Sequence, residues 1–114
     1  LNAFIAYTAK GFNWSRLKSL RLVFASGEAL KLEQTKLFAK GISASCGTRL
    51  INLYGPTEAT VDVSYYECTF TEKYVIPIGR PIDNISLYVV DSGDGLCPIG
   101  VRGELAIGGV GVGR

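Results

Sequence analysis

The sequence predicts an α/β chain. A strand–helix–strand unit of a parallel, flavodoxin-like sheet occupies residues 1–70, and a mostly β segment with a hairpin follows over 71–114. Three observations predict this. Two apolar runs, Leu20 to Ala25 and Arg49 to Tyr54, flank a stretch with helical spacing. A strand, a helix and a second strand in that order join by a right-handed crossover, which makes the strands parallel. After Glu58 the texture changes to alternating segments separated by turn residues.

The elements follow in order. Leu1, Phe4, Ile5 and Ala9 form a short helical stripe, ended by Gly11. Ser15 caps a brief helical turn through Leu17. Leu20-Arg21-Leu22-Val23-Phe24-Ala25 reads as a buried strand bounded by Ser26-Gly27. Leu30 to Lys40 reads as a helix with Leu30, Leu37 and Phe38 inward and Gly41 as its stop. Arg49 to Tyr54 is the next strand, and Val61 to Glu67 alternates as another. Pro77, Gly79 and Pro81 punctuate a seam near residues 70–80. Ile85 to Val90 and Gly103 to Ile107 are strands that pair as a hairpin around the turn cluster Asp91 to Gly95.

Composition narrows the function. With 47% hydrophobic and 19% charged residues the chain can bury a core and is not disordered. A net charge of +2 is too small to argue for nucleic acid or an anionic membrane. No apolar run reaches transmembrane length, and no basic-then-apolar leader is present. The chain has no Met and opens and closes in mid-pattern, so it is expected to be a segment of a longer polypeptide. Cys46, Cys68 and Cys97 are widely spaced and there is no His, which argues against a zinc site and removes Ser-His and Cys-His nucleophiles. Unpaired cysteines suit a reducing, cytoplasmic compartment.

The richest stretch is Asn52-Leu53-Tyr54-Gly55-Pro56-Thr57-Glu58. A strand ends in a tight Gly-Pro turn, and a hydroxyl then stands beside a carboxylate. Such a turn sets side chains at the lip of a sheet, where open α/β sheets bind ligands. Thr57 can donate to a phosphate oxygen, Glu58 can hold a hard cation such as Mg²⁺, and Tyr54 offers a flat face for a base. Read alone, the same residues are a turn followed by a helix start capped by Thr57. Three other features carry less. Gly108 to Gly113 follows a strand but lacks the helix and distant acid of a dinucleotide fingerprint. Asp91 to Gly95 lacks the ligand spacing of a calcium loop. Tyr65, Tyr66, Phe70 and Tyr74 fit strand packing better than base stacking at this charge.

Three blocks together resemble the adenylation domains of nonribosomal peptide synthetases, within the adenylate-forming enzymes. They are Ser26-Gly27-Glu28-Ala29-Leu30, Asn52 to Glu58, and Gly103 to Arg114, the last with Gly113 where members usually have Ala. Pro77-Ile78-Gly79-Arg80-Pro81 fits the linker between blocks, so the resemblance covers essentially the whole chain. It implies a larger adenylate-forming domain in which Mg-ATP and an amino acid give an aminoacyl-adenylate. The acyl group then passes to the phosphopantetheine of a peptidyl carrier domain, in antibiotic or other secondary metabolite synthesis. By resemblance Glu58 binds Mg²⁺ and Thr57 contacts the α-phosphate, Tyr54 stacks on adenine, and Asn52 hydrogen-bonds its exocyclic amine. Gly27, Glu28 and Ala29 line the adenine slot, and Gly103 to Arg114 is structural. The phosphate loop and an Asp for the substrate amino group are expected upstream. A ribose-binding Asp and a lysine are expected downstream, so this segment alone is expected to be inactive.

The same resemblance maps the side-chain pocket to Phe24, Ser26, Leu53, Val61 and Asp62. Phe24 and Leu53 take up volume and favour a small substrate. Ser26 and Asp62 add a hydroxyl and an acceptor, and a buried carboxylate needs a donor or a cation. The set resembles that of serine-activating members, with a short basic amino acid next and threonine third. Alternation along a regular strand puts Val61 and Asp62 on opposite faces, so a local irregularity is expected there. Two other readings stay open: a non-catalytic nucleotide-binding module, and an acyl-CoA ligase. The Gly-Pro-Thr-Glu form and Asp62 argue against the ligase.

Overall fold

The computed structural model describes residues 1–8, 11–59 and 61–113, and the Trp14 side chain is left aside. Ala9 and Arg114, expected in the first stripe and the third block, lie outside the described residues. Two sheets form. The larger has the order β1 (Leu22–Ala25), β2 (Arg49–Tyr54), β3 (Ser64–Glu67), β4 (Arg80–Pro81), and the smaller pairs β5 (Ile85–Val90) with β6 (Glu104–Gly109).

The strand–helix–strand unit is as expected: β1 pairs parallel to β2, with Phe24 opposite Ile51 and Ala25 opposite Asn52. The flavodoxin-like parallel sheet is not. β2–β3 and β3–β4 are antiparallel, so the sheet is mixed. The reason is the Gly55-Pro56 turn, which sends the chain straight back along β2 without a second crossover helix. Nor is β1 a buried strand. Among the described residues it is an edge strand with one sheet neighbour, and Phe24 is 59% exposed.

The helix between these strands also differs from expectation. α2 (Leu32–Phe38) runs on through a π turn at Ala39–Ser43 into a last turn at Ala44–Cys46. Gly41 therefore does not stop it. Gly47, at φ +68°, does. Thr35, Phe38 and Ile42 face inward at helical spacing, while Leu37 is 49% exposed. Lys31 N–H donates to Gln34 Oε1 at the helix start, and Gln34 Nε2 donates to Asn2 Oδ1. That second bond ties α2 to α1 (Asn2–Thr8), whose Ile5 enters the same core. In the turn Trp14–Leu17 the cap is Asn13 rather than Ser15; Asn13 Oδ1 accepts both the Ser15 N–H and its hydroxyl. Asparagine reaches the orphan N–H from one position earlier, which is the capping geometry.

The main core gathers Ile5, Phe38, Ile42, Leu50, Cys68 and Ile76. A second, smaller cluster of Ala59, Val63 and Ile85 joins the two sheets, with Tyr54, Leu87 and Ile107 against it. The expected hairpin is present in register, Ile85 opposite Gly109 through Val90 opposite Glu104. Asp91 Oδ1 accepts the N–H groups of Gly93 and Gly95 and shapes the connecting turn. These bonds hold the Asp91 carboxyl below its ordinary range. Among the described residues no helix is long and apolar enough to cross a membrane.

Candidate functional site

Two clefts flank the loop after β1. One, of about 680 Å³, lies between this loop and the start of the chain, with Phe4, Phe24 and Ser26 in its wall. The other, of about 410 Å³, runs between Gly27–Leu30 and the end of β2, Asn52 to Gly55. Its far wall is apolar: Val75, Ile76 and Ile78. Gly27 sits at φ +86° with open space where a side chain would stand, so glycine both makes the turn and leaves room beside it.

Gly55 has the opposite role. A Cβ there would overlap the backbone of Val61 and Asp62. Only glycine lets the turn after β2 fold back onto them. The expected irregularity is present at this contact. Val61 has φ +76°, and β3 begins only at Ser64 rather than at Val61. The kink turns Asp62 toward β1, where Ser26 Oγ donates to Asp62 Oδ1 at 2.7 Å. Val61 itself is 70% exposed.

The sequence-predicted residues are thus partly assembled. Gly27, Glu28, Ala29, Asn52 and Tyr54 line one cleft together, joined by Leu53. Phe24 and Ser26 line the other, and Val61 and Asp62 are in the walls of neither. Phe24 does not narrow an enclosed cavity, being mostly exposed on the edge strand. Asn52 is buried, and its Nδ2 donates to Pro77 O at 2.9 Å. Thr57 and Glu58 occupy an exposed single turn, Thr57–Ala59, outside both cleft walls. Glu58 O accepts the N–H of Gly113 at 2.8 Å, so the glycine-rich tail supports this turn from behind.

Among the described residues no cluster of three His, Cys, Asp or Glu could hold a metal. An exposed carboxylate such as Glu58 still suits Mg²⁺, which binds through one or two carboxylates and takes its other ligands from water and phosphates. Cysteine chemistry finds no support. The three cysteines form no disulfide, and burial, helped by the charge of Glu72, pushes the Cys68 thiol up to about 11.

Sequence reasoning missed the apolar wall. Val75-Ile76-Pro77-Ile78 reads in sequence as part of a linker. In the structure it is a strap laid over β2 and β3, held by Asn52 and by Ser64 Oγ, which donates to Ile78 O at 2.8 Å. The available signal was the apolar run itself, three large aliphatics in four residues beside two prolines.

The whole chain, residues 1–114, matches the AMP-binding enzyme family. The chain belongs to that family. It is 47% identical to the zwittermicin A synthase ZmaJ of Bacillus cereus, over 100% of this chain and 22% of that protein. It is 48% identical to tyrocidine synthase 3 of Brevibacillus parabrevis, over 89% of this chain and 2% of that one. The AMP-binding chain therefore spans about a fifth or less of these curated relatives. Its fold is similar to that of the nonribosomal peptide synthetase FmoA3 in an AMPPNP-bound form, with TM-score 0.83 and 25% identity over 96% of this chain and 12% of the other. A form of FmoA3 bound to α-methyl-L-serine-AMP gives TM-score 0.80 and 25% identity over 95% of this chain and 12% of the other.

Proposed function

We propose that this chain supplies the adenine- and side-chain-binding part of an amino-acid adenylation domain in a nonribosomal peptide synthetase. The cleft that unites Gly27–Ala29 with Asn52 and Tyr54 carries this reading, in a chain that matches the AMP-binding family from end to end. Tyr54 offers its ring to adenine and Asn52 its Oδ1 to the exocyclic amine, its Nδ2 being held by Pro77 O, while Gly27 leaves backbone open to the base. An amino-acid carboxylate attacks the α-phosphorus in line. The new bond is carboxylate oxygen to phosphorus, and the bond to pyrophosphate breaks. Thr57 would hydrogen-bond the α-phosphate, and Glu58 would hold Mg²⁺, which would supply charge neutralisation at the phosphates. The thiol of a carrier domain's phosphopantetheine would then attack the acyl carbon: a thioester C–S bond forms, the acyl–oxygen bond to phosphate breaks, AMP leaves and the thiol gives up its proton.

L-Serine is the proposed substrate. The Ser26–Asp62 hydrogen bond supports this, since it sets a carboxylate, the kind of acceptor a substrate hydroxyl needs, beside the β1 edge. The likeness to a synthetase bound to a serine-derived adenylate is consistent with it. A short basic amino acid is the second reading, favoured by the same carboxylate. Amino-acid-dependent ATP–pyrophosphate exchange by the domain containing these residues tests both. Exchange with serine alone supports the reading, and exchange with ornithine or diaminobutyrate replaces serine by the second. Absence of exchange with any amino acid leaves a non-catalytic nucleotide-binding module.

A further inference from the structure

The strap over residues 69–78 is tied down from one face of the β2–β3 ladder. Asn52 and Tyr66 are direct cross-strand partners, and Ser64 stands two residues from Tyr66 on the same face. Asn52 and Ser64 hold the far end of the strap at Pro77 and Ile78. At the near end Phe70 stacks on Phe38, with ring centroids 6.2 Å apart. Between these lies Glu72. Its Oε1 accepts the Tyr66 hydroxyl at 2.8 Å, the Thr69 N–H at 2.7 Å and the Thr69 hydroxyl at 2.9 Å. Its Oε2 is buried without a hydrogen-bond partner among the described residues. A buried carboxylate oxygen with no partner is costly, so this is not an ordinary solvated glutamate. Burial pushes the Glu72 carboxyl up, but the hydrogen bonds from backbone, Tyr66 and Thr69 outweigh it and hold it below the ordinary range.

We infer that Glu72 is a positioning residue for the nucleotide cleft: it pins the strap to Tyr66 and Thr69 and so sets where Val75, Ile76 and Ile78 stand as the cleft's apolar wall. The inference rests on the adenine reading above. Glu72 is not itself in the cleft wall, so it acts through the strap alone.

The test is isothermal titration of ATP, and separately of the amino acid, into the adenylation domain containing these residues and into its variants. Glu72→Ala is expected to weaken ATP binding about tenfold, the usual scale for hydrogen bonds to a charged group, and to leave amino-acid binding within about twofold. Glu72→Gln keeps an acceptor at Oε1 and puts an amide at the buried oxygen, so it restores most of the ATP affinity. Thr48→Val, which removes a buried hydroxyl bonded to Leu20 O and outside both cleft walls, is the stability control. ATP affinity unchanged in Glu72→Ala overturns the inference. So does an equal loss for ATP and amino acid, or an equal ATP loss in Thr48→Val. If Glu72→Ala fails to fold, Tyr66→Phe carries the same comparison by deleting one hydroxyl, and unchanged ATP affinity there overturns the inference. A parent domain that binds no ATP overturns the adenylation reading as well. Normal ATP binding with indifferent variants overturns only the role of Glu72.

Discussion

The mixed sheet and the hairpin sheet are built from similar residues but buried very differently. Phe38 and Ile42 pack against Leu50 of the first, and each of the three is at most 1% exposed. Among the described residues from 84 to 113 only Ile85 is buried. Of the side chains proposed to meet substrate, Asn52 is fixed by burial and a bond to Pro77 O, and Ser26 by its bond to Asp62, while Thr57 and Glu58 stand on an exposed turn. The hairpin contributes backbone instead, through Gly113, behind the Glu58 turn. Precise side-chain chemistry calls for a rigid base, whereas a backbone prop needs only one well-placed strand end.

The largest expected contrast is in core truncation. Phe38→Ala should cost about 3–5 kcal/mol in denaturant unfolding, against about 1 kcal/mol for Leu87→Ala on the half-buried hairpin face. Similar losses would erase the distinction between the regions. Glycines sharpen the same comparison. Gly55→Ala forces backbone overlap with Val61 and Asp62 and should cost about 2–3 kcal/mol together with exchange activity. Gly108→Ala meets only the Tyr88 ring edge, at 3.6 Å, and should stay within about 0.5 kcal/mol. Melting temperatures of the two variants decide this, and equal shifts would break the contrast.

Next in size is specificity. Asp62→Asn should reduce the preference for serine over alanine about tenfold in pyrophosphate exchange, because the amide is a weaker acceptor for both Ser26 and the substrate. An unchanged ratio would remove Asp62 from the pocket. The smallest effect is in acid. Glu72 and Asp91 both have lowered carboxyl values, so each stabilises above its unfolded value and loses that contribution as pH falls through its folded one. Hydrogen exchange should show strap amides loosening on acidification in wild type but not in Glu72→Gln. The turn amides of Gly93 and Gly95 should likewise loosen in wild type but not in Asp91→Asn. Acid loosening that ignores both variants would contradict this assignment.

Much of the fold was legible because its signals are local. The β1–α2–β2 unit and the β5–β6 hairpin follow from apolar spacing and turn residues, and even the kink at Val61 follows from asking Asp62 to face a pocket. The misreadings share a cause. Gly41 resembles a helix stop, but Phe38 and Ile42 bury on one stripe that carries the helix past it to Gly47. β1 resembles a buried strand, but the sequence does not show that its outer edge has no neighbour here. The residues proposed for the site stand out in the sequence, and their assembly does not. Asn52 is committed to Pro77, and the strap that forms the cleft wall is fixed by contacts 6 to 25 residues apart that no local pattern announces.

The contact of Gly113 with Glu58, backed by Ala59 and Val63 against Ile85, has a bearing on recombination between relatives. Residues 57–63 and 85–113 are packing partners, although some twenty positions separate them in the chain. A chimaera that draws these two stretches from different parents replaces both sides of one seam at once. Its lost turnover would then be blamed on the grafted pocket. Moving 57–113 as one piece keeps that seam native and leaves the Ser26–Asp62 bond as the contact an exchanged β1 must still match.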